Sequence, residues 1–138
     1  MAGSASTIAY DDGQDRKGQH GHIRRIVIDW TSDDATGQVV ITTGKISGEL
    51  LKAVTDPDAG AAPTADYDIV ITDEEGANVL ANCYDDLVDR HTSTTQTVDF
   101  FLTGAANVGA RPVVCDILTI TVSNAGNSKQ GRIVLYYR

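Results

Sequence analysis

The sequence predicts an all-β fold: a single-domain β-sandwich or jelly roll of seven to eight antiparallel strands, with one short helix and an extended N-terminal arm. Three observations predict it. Apolar residues recur with a period of two in short runs. Clusters of Gly, Pro, Asn and Asp separate those runs roughly every ten residues, and only one segment has helical spacing. With 138 residues, 41% of them hydrophobic and 22% charged, the chain can fill one core but not two.

Residues 1–21 read as a flexible arm, and residues 22–138 as the sandwich domain. The arm holds Gly3, Gly13, Gly18 and Gly21 among small and charged residues, with only Ile8 and Tyr10 as large apolar anchors. Such a segment buries too little apolar surface to offset its own conformational entropy, although Thr7, Ile8, Ala9 and Tyr10 have the character to join a sheet edge in a complex.

The alternation begins at residues 25–30, where Ile26, Ile28 and Trp30 share one face while Arg25 and Asp29 share the other. Residues 38–43 follow after a polar turn, and the two runs read as a hairpin. Residues 46–54 carry Leu and Lys enough for a helix, but Gly48 sits in their middle and breakers lie close on both sides. A strand with a bulge or bend at Gly48 is therefore expected. Residues 56–63, with two prolines and a glycine, form a loop. Residues 67–72 alternate again, Tyr67, Ile69 and Ile71 pointing inward, and residues 73–76 close them as a turn.

Residues 78–88 are the expected helix: Asn78 is a capping residue, and Leu80, Tyr84, Leu87 and Val88 follow at helical spacing. Strands are then expected at residues 97–102, 113–122 and 132–138, the last two joined by a loop short enough for a hairpin.

The net charge of −8 and pI near 4.6 argue against nucleic acid as the main partner, because phosphate binding needs clustered Lys and Arg. No segment approaches the roughly 18 apolar residues of a membrane span, and the N-terminus lacks the basic start and apolar core of a signal peptide. The expectation is a chain made and kept in the cytoplasm unless it leaves inside a larger assembly, with no membrane partner.

Candidate chemistry is sparse. Acidic residues cluster at Asp11, Asp12 and Asp15, at Asp33 and Asp34, at Asp73, Glu74 and Glu75, and at Asp85, Asp86 and Asp89. None has the calcium-loop spacing, and turns select Asp for its own hydrogen bonds. His20 and His22 are two ligands too few to close a zinc site, and His91 beside Asp89 and Ser93 does not make a triad. Neither a nucleophile elbow nor a phosphate loop is present. Cys83 and Cys115 read as free thiols, Cys115 as a small buried hydrophobe within an apolar run. No catalytic residue, cofactor site or metal site is expected, and the chain reads as a non-enzyme.

The aromatic pairs Phe100-Phe101 and Tyr136-Tyr137 say more, since adjacent residues on a strand point to opposite faces. Phe100 and Tyr137 fit the core, which leaves Phe101 and Tyr136 outward. Together with Ile8 and Tyr10 of the arm, they are the candidate interface residues.

Several segments, taken in order, resemble a known group. Residues 25–31 (RIVIDWT), then Gly44-Lys45-Ile46, then Val54-Thr55-Asp56-Pro57, then residues 63–69 with Thr72-Asp73-Glu74-Glu75-Gly76, and finally residues 118–126 and 131–136 are similar to small tailed-bacteriophage structural proteins encoded beside the major capsid gene. The likeness covers about residues 22–138 and is one of general pattern, without a residue-specific motif to carry over. It implies a capsid cement or decoration protein: a jelly-roll-like sandwich, often dimeric, bound to the capsid exterior of the virion with the major capsid protein as partner. The other readings are a tail, neck or fibre component, and a carbohydrate-binding sandwich.

Overall fold

A computed structural model describes residues 3–11, 23–83, 85–103 and 110–138. They form seven strands: β1 (Ala5–Asp11), β2 (Arg24–Thr31), β3 (Val39–Pro57), β4 (Asp68–Thr72), β5 (Gln96–Asp99), β6 (Val113–Ser123) and β7 (Gln130–Tyr137). All pairings are antiparallel. The fold is all-β, as the alternation predicts.

The strand that organises the molecule is β3. Its first half, residues 39–49, pairs with β6, which in turn pairs with β4. Its second half pairs with β7 on one side and β5 on the other. One ladder is therefore the larger sheet, in the order β1-β2-β7-β3-β5, and the other is the smaller sheet, β3-β6-β4. They meet at Gly48, whose φ of 140° belongs to glycine, and a Cβ there would collide with the carbonyl oxygen of Arg138. Arg138 and Glu49 exchange backbone bonds of 3.0 and 2.7 Å at this corner. The bend expected at Gly48 is present, but the two strands expected around residues 38–54 are one continuous strand.

The inward faces of the two sheets make a single core. Ile26, Ile28 and Trp30 of β2 and Ile133 and Leu135 of β7 are buried with Ile69 and Ile71 of β4 and Leu118, Ile120 and Val122 of β6. Trp30 meets Tyr67, just ahead of β4, with ring centroids 5.8 Å apart, so the largest side chains span the gap between sheets. Each fully buried side chain of this size contributes about 1.5–3 kcal/mol of hydrophobic stabilisation. Trp30 lies flat on its neighbour in β7 because that neighbour is Gly131; a Cβ would run into the indole ring.

Three expectations fail, each for a physical reason. Neither predicted hairpin exists. Strand β2 pairs with β1 and β7 rather than β3, and β6 pairs with β3 and β4 rather than β7. The connecting loops instead cross from one sheet to the other and interlock: Ser32 N–H donates to Lys129 O at 2.8 Å, Ser32 Oγ to Gly126 O at 2.5 Å, and Ala125 N–H to Gly37 O at 3.3 Å. Turn composition marks where a chain reverses, not which strand it reverses onto.

The predicted helix at residues 78–88 is absent among the described residues, which exclude Tyr84. Asn78 does cap a turn, its Oδ1 accepting from Leu80 N–H at 3.0 Å. The backbone is then spent on the sheet: Val79 N–H donates to Ile71 O, and Ile69 N–H to Leu87 O. Leu80 and Leu87 are buried as helical spacing suggested, yet the segment covers the outer edge of β4 instead of coiling.

Residues 5–11 are strand β1, paired with β2 along its whole length, and the rest of the expected arm, residues 12–21, lies outside the described residues.

Candidate functional site

Both sheets turn an outer face away from the core, and the two faces differ in chemistry. On the smaller sheet, alternation sends Val40, Thr42, Lys45 and Ser47 of β3 outward beside Thr121, Thr119, Ile117 and Cys115 of β6. Val70 and Thr72 of β4 complete two of these rows. Val40 is 57% exposed, Ile117 40% and Val113, at the end of β6, 75%.

Charge on this face is sparse but not confined to its edges: Lys45 is the cross-strand partner of Ile117, between the Thr42 and Ser47 rows. Lys45 and Glu74 stand at a bulge between Thr42 and Lys45, where the register slips and frees two β6 amides. Glu74 Oε1 accepts one, from Ile117 N–H at 2.8 Å, and Thr43 Oγ1 accepts the other, from Leu118 N–H at 3.1 Å. Asp68 at the far end is occupied by Asp89 N–H and the Asn124 amide, at 3.1 and 2.7 Å. Between Asp68 at one end and Glu49, opposite Val113, at the other, the remaining outward positions are β-branched aliphatics, threonines, Ser47 and Cys115. An exposed surface this poor in charge, on a chain of net charge −8, has the composition of a contact core.

Cys115 is exposed, contrary to the burial expected from its apolar run; its Sγ lies 3.3 Å from Ser47 Oγ. The run Val113-Val114-Cys115-Asp116-Ile117-Leu118 is apolar on both parities and hides its own phase. Thr119 and Thr121 reveal it, because they share parity with Ile117, Cys115 and Val113. Cys83 is half-buried, and that burial, then the nearby Asp86 charge, pushes its thiol pKa up.

The larger sheet presents a mixed face. A central row of Val27, Val134 and Val54 is half-buried. At one end Arg132 grips Asp29 with two bonds of 2.6 and 3.1 Å, which holds the Asp29 carboxyl below its ordinary pKa. An open depression there is lined by Asp29, Asp56, Asp58 and Arg132. Trp30 adjoins it but is only 2% exposed, so the depression has no aromatic platform of the kind expected for a sugar site. At the other end lie Arg25, Tyr136 and Lys52.

The predicted interface residues fall in two places. Tyr136 is on the larger sheet's outer face, its ring 4.9 Å from Lys52 Nζ, and Phe101 is exposed beyond β5 with the Arg111 guanidinium 4.5 Å from its ring. Ile8 and Tyr10 lie on β1 with inward parity: Ile8 packs against the core, and the Tyr10 hydroxyl accepts from Gly44 N–H at 2.7 Å, tying the larger sheet to the smaller. The structure does not bring all four together. Val40, Val113 and Ile117 are what the sequence reading missed.

Among the described residues, no group of three or more His, Cys, Asp or Glu could hold a metal ion. The acidic turns use their carboxylates locally: Asp33 accepts from Ala35 and Thr36 N–H, Asp58 from Gly60 and Ala61, and Asp73 from Glu75 and Ala77. His91 is exposed, and His20 and His22 lie outside the described residues. No described helix is long and apolar enough to cross a membrane.

The class the geometry defines is a two-sheet β-sandwich with a charge-poor outer face on its smaller sheet. No family model matches the chain, and no curated protein does. Among solved structures it is similar to a carbohydrate-binding module of the β-sandwich superfamily, with a TM-score of 0.43 and 13% identity over 97% of this chain and 52% of that one. The chain thus spans about half the length of that structure. It is also similar to FLHE, with a TM-score of 0.36 and 10% identity over 99% of both chains. A chain of infectious bursal disease virus, Gx strain, gives a TM-score of 0.31 and 14% identity over 98% of this chain and 32% of that one.

Proposed function

We propose that the protein is a non-catalytic structural component of a tailed-bacteriophage virion, a cement or decoration protein that binds the capsid exterior through the charge-poor outer face of its smaller sheet. The observation that carries the docking surface is the exposed set Val40, Ile117 and Val113 on a face with few charges, of which Lys45 and Glu74 stand beside Ile117. The phage assignment rests on the sequence resemblance over residues 22–138. The mechanism is mechanical. Each copy, or each dimer, buries apolar surface across a joint between major capsid subunits, and binding the assembled shell but not its parts stabilises the shell by mass action.

The test is co-sedimentation with purified heads that lack the protein. Saturable binding at a fixed ratio to capsid subunits is expected for the natural chain. Val113→Lys with Ile117→Lys should lose binding while changing unfolding stability by less than about 0.5 kcal/mol, as surface substitutions do. Absence of head binding, with closed rings forming in isolation, would move the protein to the tail or neck. Binding untouched by the two lysines would remove this face as the docking surface.

A further inference from the structure

The larger sheet carries a second surface of opposite character. Of the eleven Lys and Arg, Arg16 and Lys17 lie outside the described residues, and five of the remaining nine gather at one end of this sheet: Arg24, Arg25, Lys52, Arg111 and Arg138. The strand register shows why. Arg25, Tyr136, Lys52 and Asp99 are successive cross-strand partners on β2, β7, β3 and β5, so they form one outward row. Arg24 stands opposite Tyr137, and Arg138 is held at the Gly48 corner by Glu49. Arg111 reaches the same end by donating to Leu51 O at 2.6 Å, which adjoins Lys52.

Two carboxylates with described side chains belong to this end, Asp99 and Glu49. Among the described side chains the local balance is five cations to two anions, on a chain whose total is −8. Ile23, 54% exposed, and the half-buried Tyr136 add apolar area among the charges. Arg and Tyr are the residue types on which contact energy concentrates.

We infer that this end of the larger sheet is a second docking surface, and that its occupant is a carboxylate-rich polypeptide surface. Charge complementarity argues for an acidic occupant, and the rings argue for polypeptide over nucleic acid. Lys52 lies over the Tyr136 ring and Arg111 over Phe101, so one face of each ring is taken by a cation of the same chain rather than left as a platform for bases. At the opposite end of the sheet, Arg132 is satisfied by Asp29 and offers no such surface. With the charge-poor face on the other sheet, the sandwich has two unlike sides and joins two unlike partners. The assignment does not depend on which assembly the charge-poor face meets.

Fluorescence anisotropy with labelled poly-L-glutamate and, separately, labelled oligo-dT tests it on the full chain, at roughly 20 and 200 mM salt. Polyglutamate should bind at the lower salt and weaken about tenfold or more at the higher. Arg24→Glu with Lys52→Glu should weaken binding about tenfold or more, and Arg24→Gln with Lys52→Gln should do so to a smaller extent with the thermal midpoint retained. Lys45→Glu with Lys129→Glu makes the same net-charge change elsewhere and should leave binding within about twofold. Failure to bind polyglutamate, equal loss in both pairs of variants, or tighter binding of oligo-dT would overturn the inference. So would a dimer of the chain alone at low salt that Arg24→Glu with Lys52→Glu dissolves, since the occupant would then be a second copy. None of these outcomes bears on head binding through the other face.

Discussion

At Gly48 the backbone enters a conformation that L side chains rarely adopt, directly under the Arg138 carbonyl. Replacing it with Ala adds backbone strain to a collision with main chain that is itself hydrogen-bonded. Gly48→Ala is expected to cost about 2–4 kcal/mol, read from the urea midpoint. A cost below roughly 1 kcal/mol would mean the corner relaxes freely. Acid sensitivity is also local. Backbone N–H groups of Ala35 and Thr36 lower the pKa of Asp33, and the Arg132 guanidinium lowers that of Asp29. A carboxylate with a depressed folded pKa stabilises the fold above its unfolded value, about 3.9, and loses that contribution as pH falls through the folded value. The thermal midpoint should therefore fall as pH drops below about 4, and Asp33→Asn should flatten part of that slope. An unchanged slope in the variant would show that the Asp33 turn contributes nothing to it.

Among the elements, β1 is the one whose role changed most between sequence and structure. It caps the outer edge of β2 and reaches the smaller sheet through the Tyr10 hydroxyl. Deleting residues 1–11 should lower the urea midpoint and leave β2 as a bare edge, with association visible by light scattering. A truncated chain that stays monomeric with an unchanged midpoint would return β1 to the status of a loose arm. The strands themselves were legible, because period two places Ile26, Ile28 and Trp30, or Tyr67, Ile69 and Ile71, on one face whatever lies opposite. Their partners were not. Pairing β2 with β7 depends on residues about a hundred positions apart, and local turn chemistry holds no record of that. The helix expected at residues 78–88 failed for a related reason: its periodicity was real, but the open edge of β4 competed for its backbone. For the candidate site, the outward parity of Phe101 and Tyr136 could be read from adjacency, whereas Val113 and Ile117 were masked by a run apolar on both faces.

For the molecule as a whole, the shared strand sets the unfolding behaviour. Because β3 belongs to both sheets and Trp30 packs on Tyr67 between them, neither sheet can separate without breaking the common core. One cooperative transition is expected, with tryptophan fluorescence and far-ultraviolet circular dichroism superimposing across urea. Two resolved transitions would show that the sheets melt independently. The same architecture constrains how the chain can be made. Strand β2 leaves the ribosome early, yet β7, its ladder partner toward the middle of the sheet, is the last strand to be synthesised. At about 5–20 residues per second, Ile26, Ile28 and Trp30 wait on the order of 5–20 s for that partner. Over that interval β1, the one neighbour already made, is the only native strand available to guard the nascent edge.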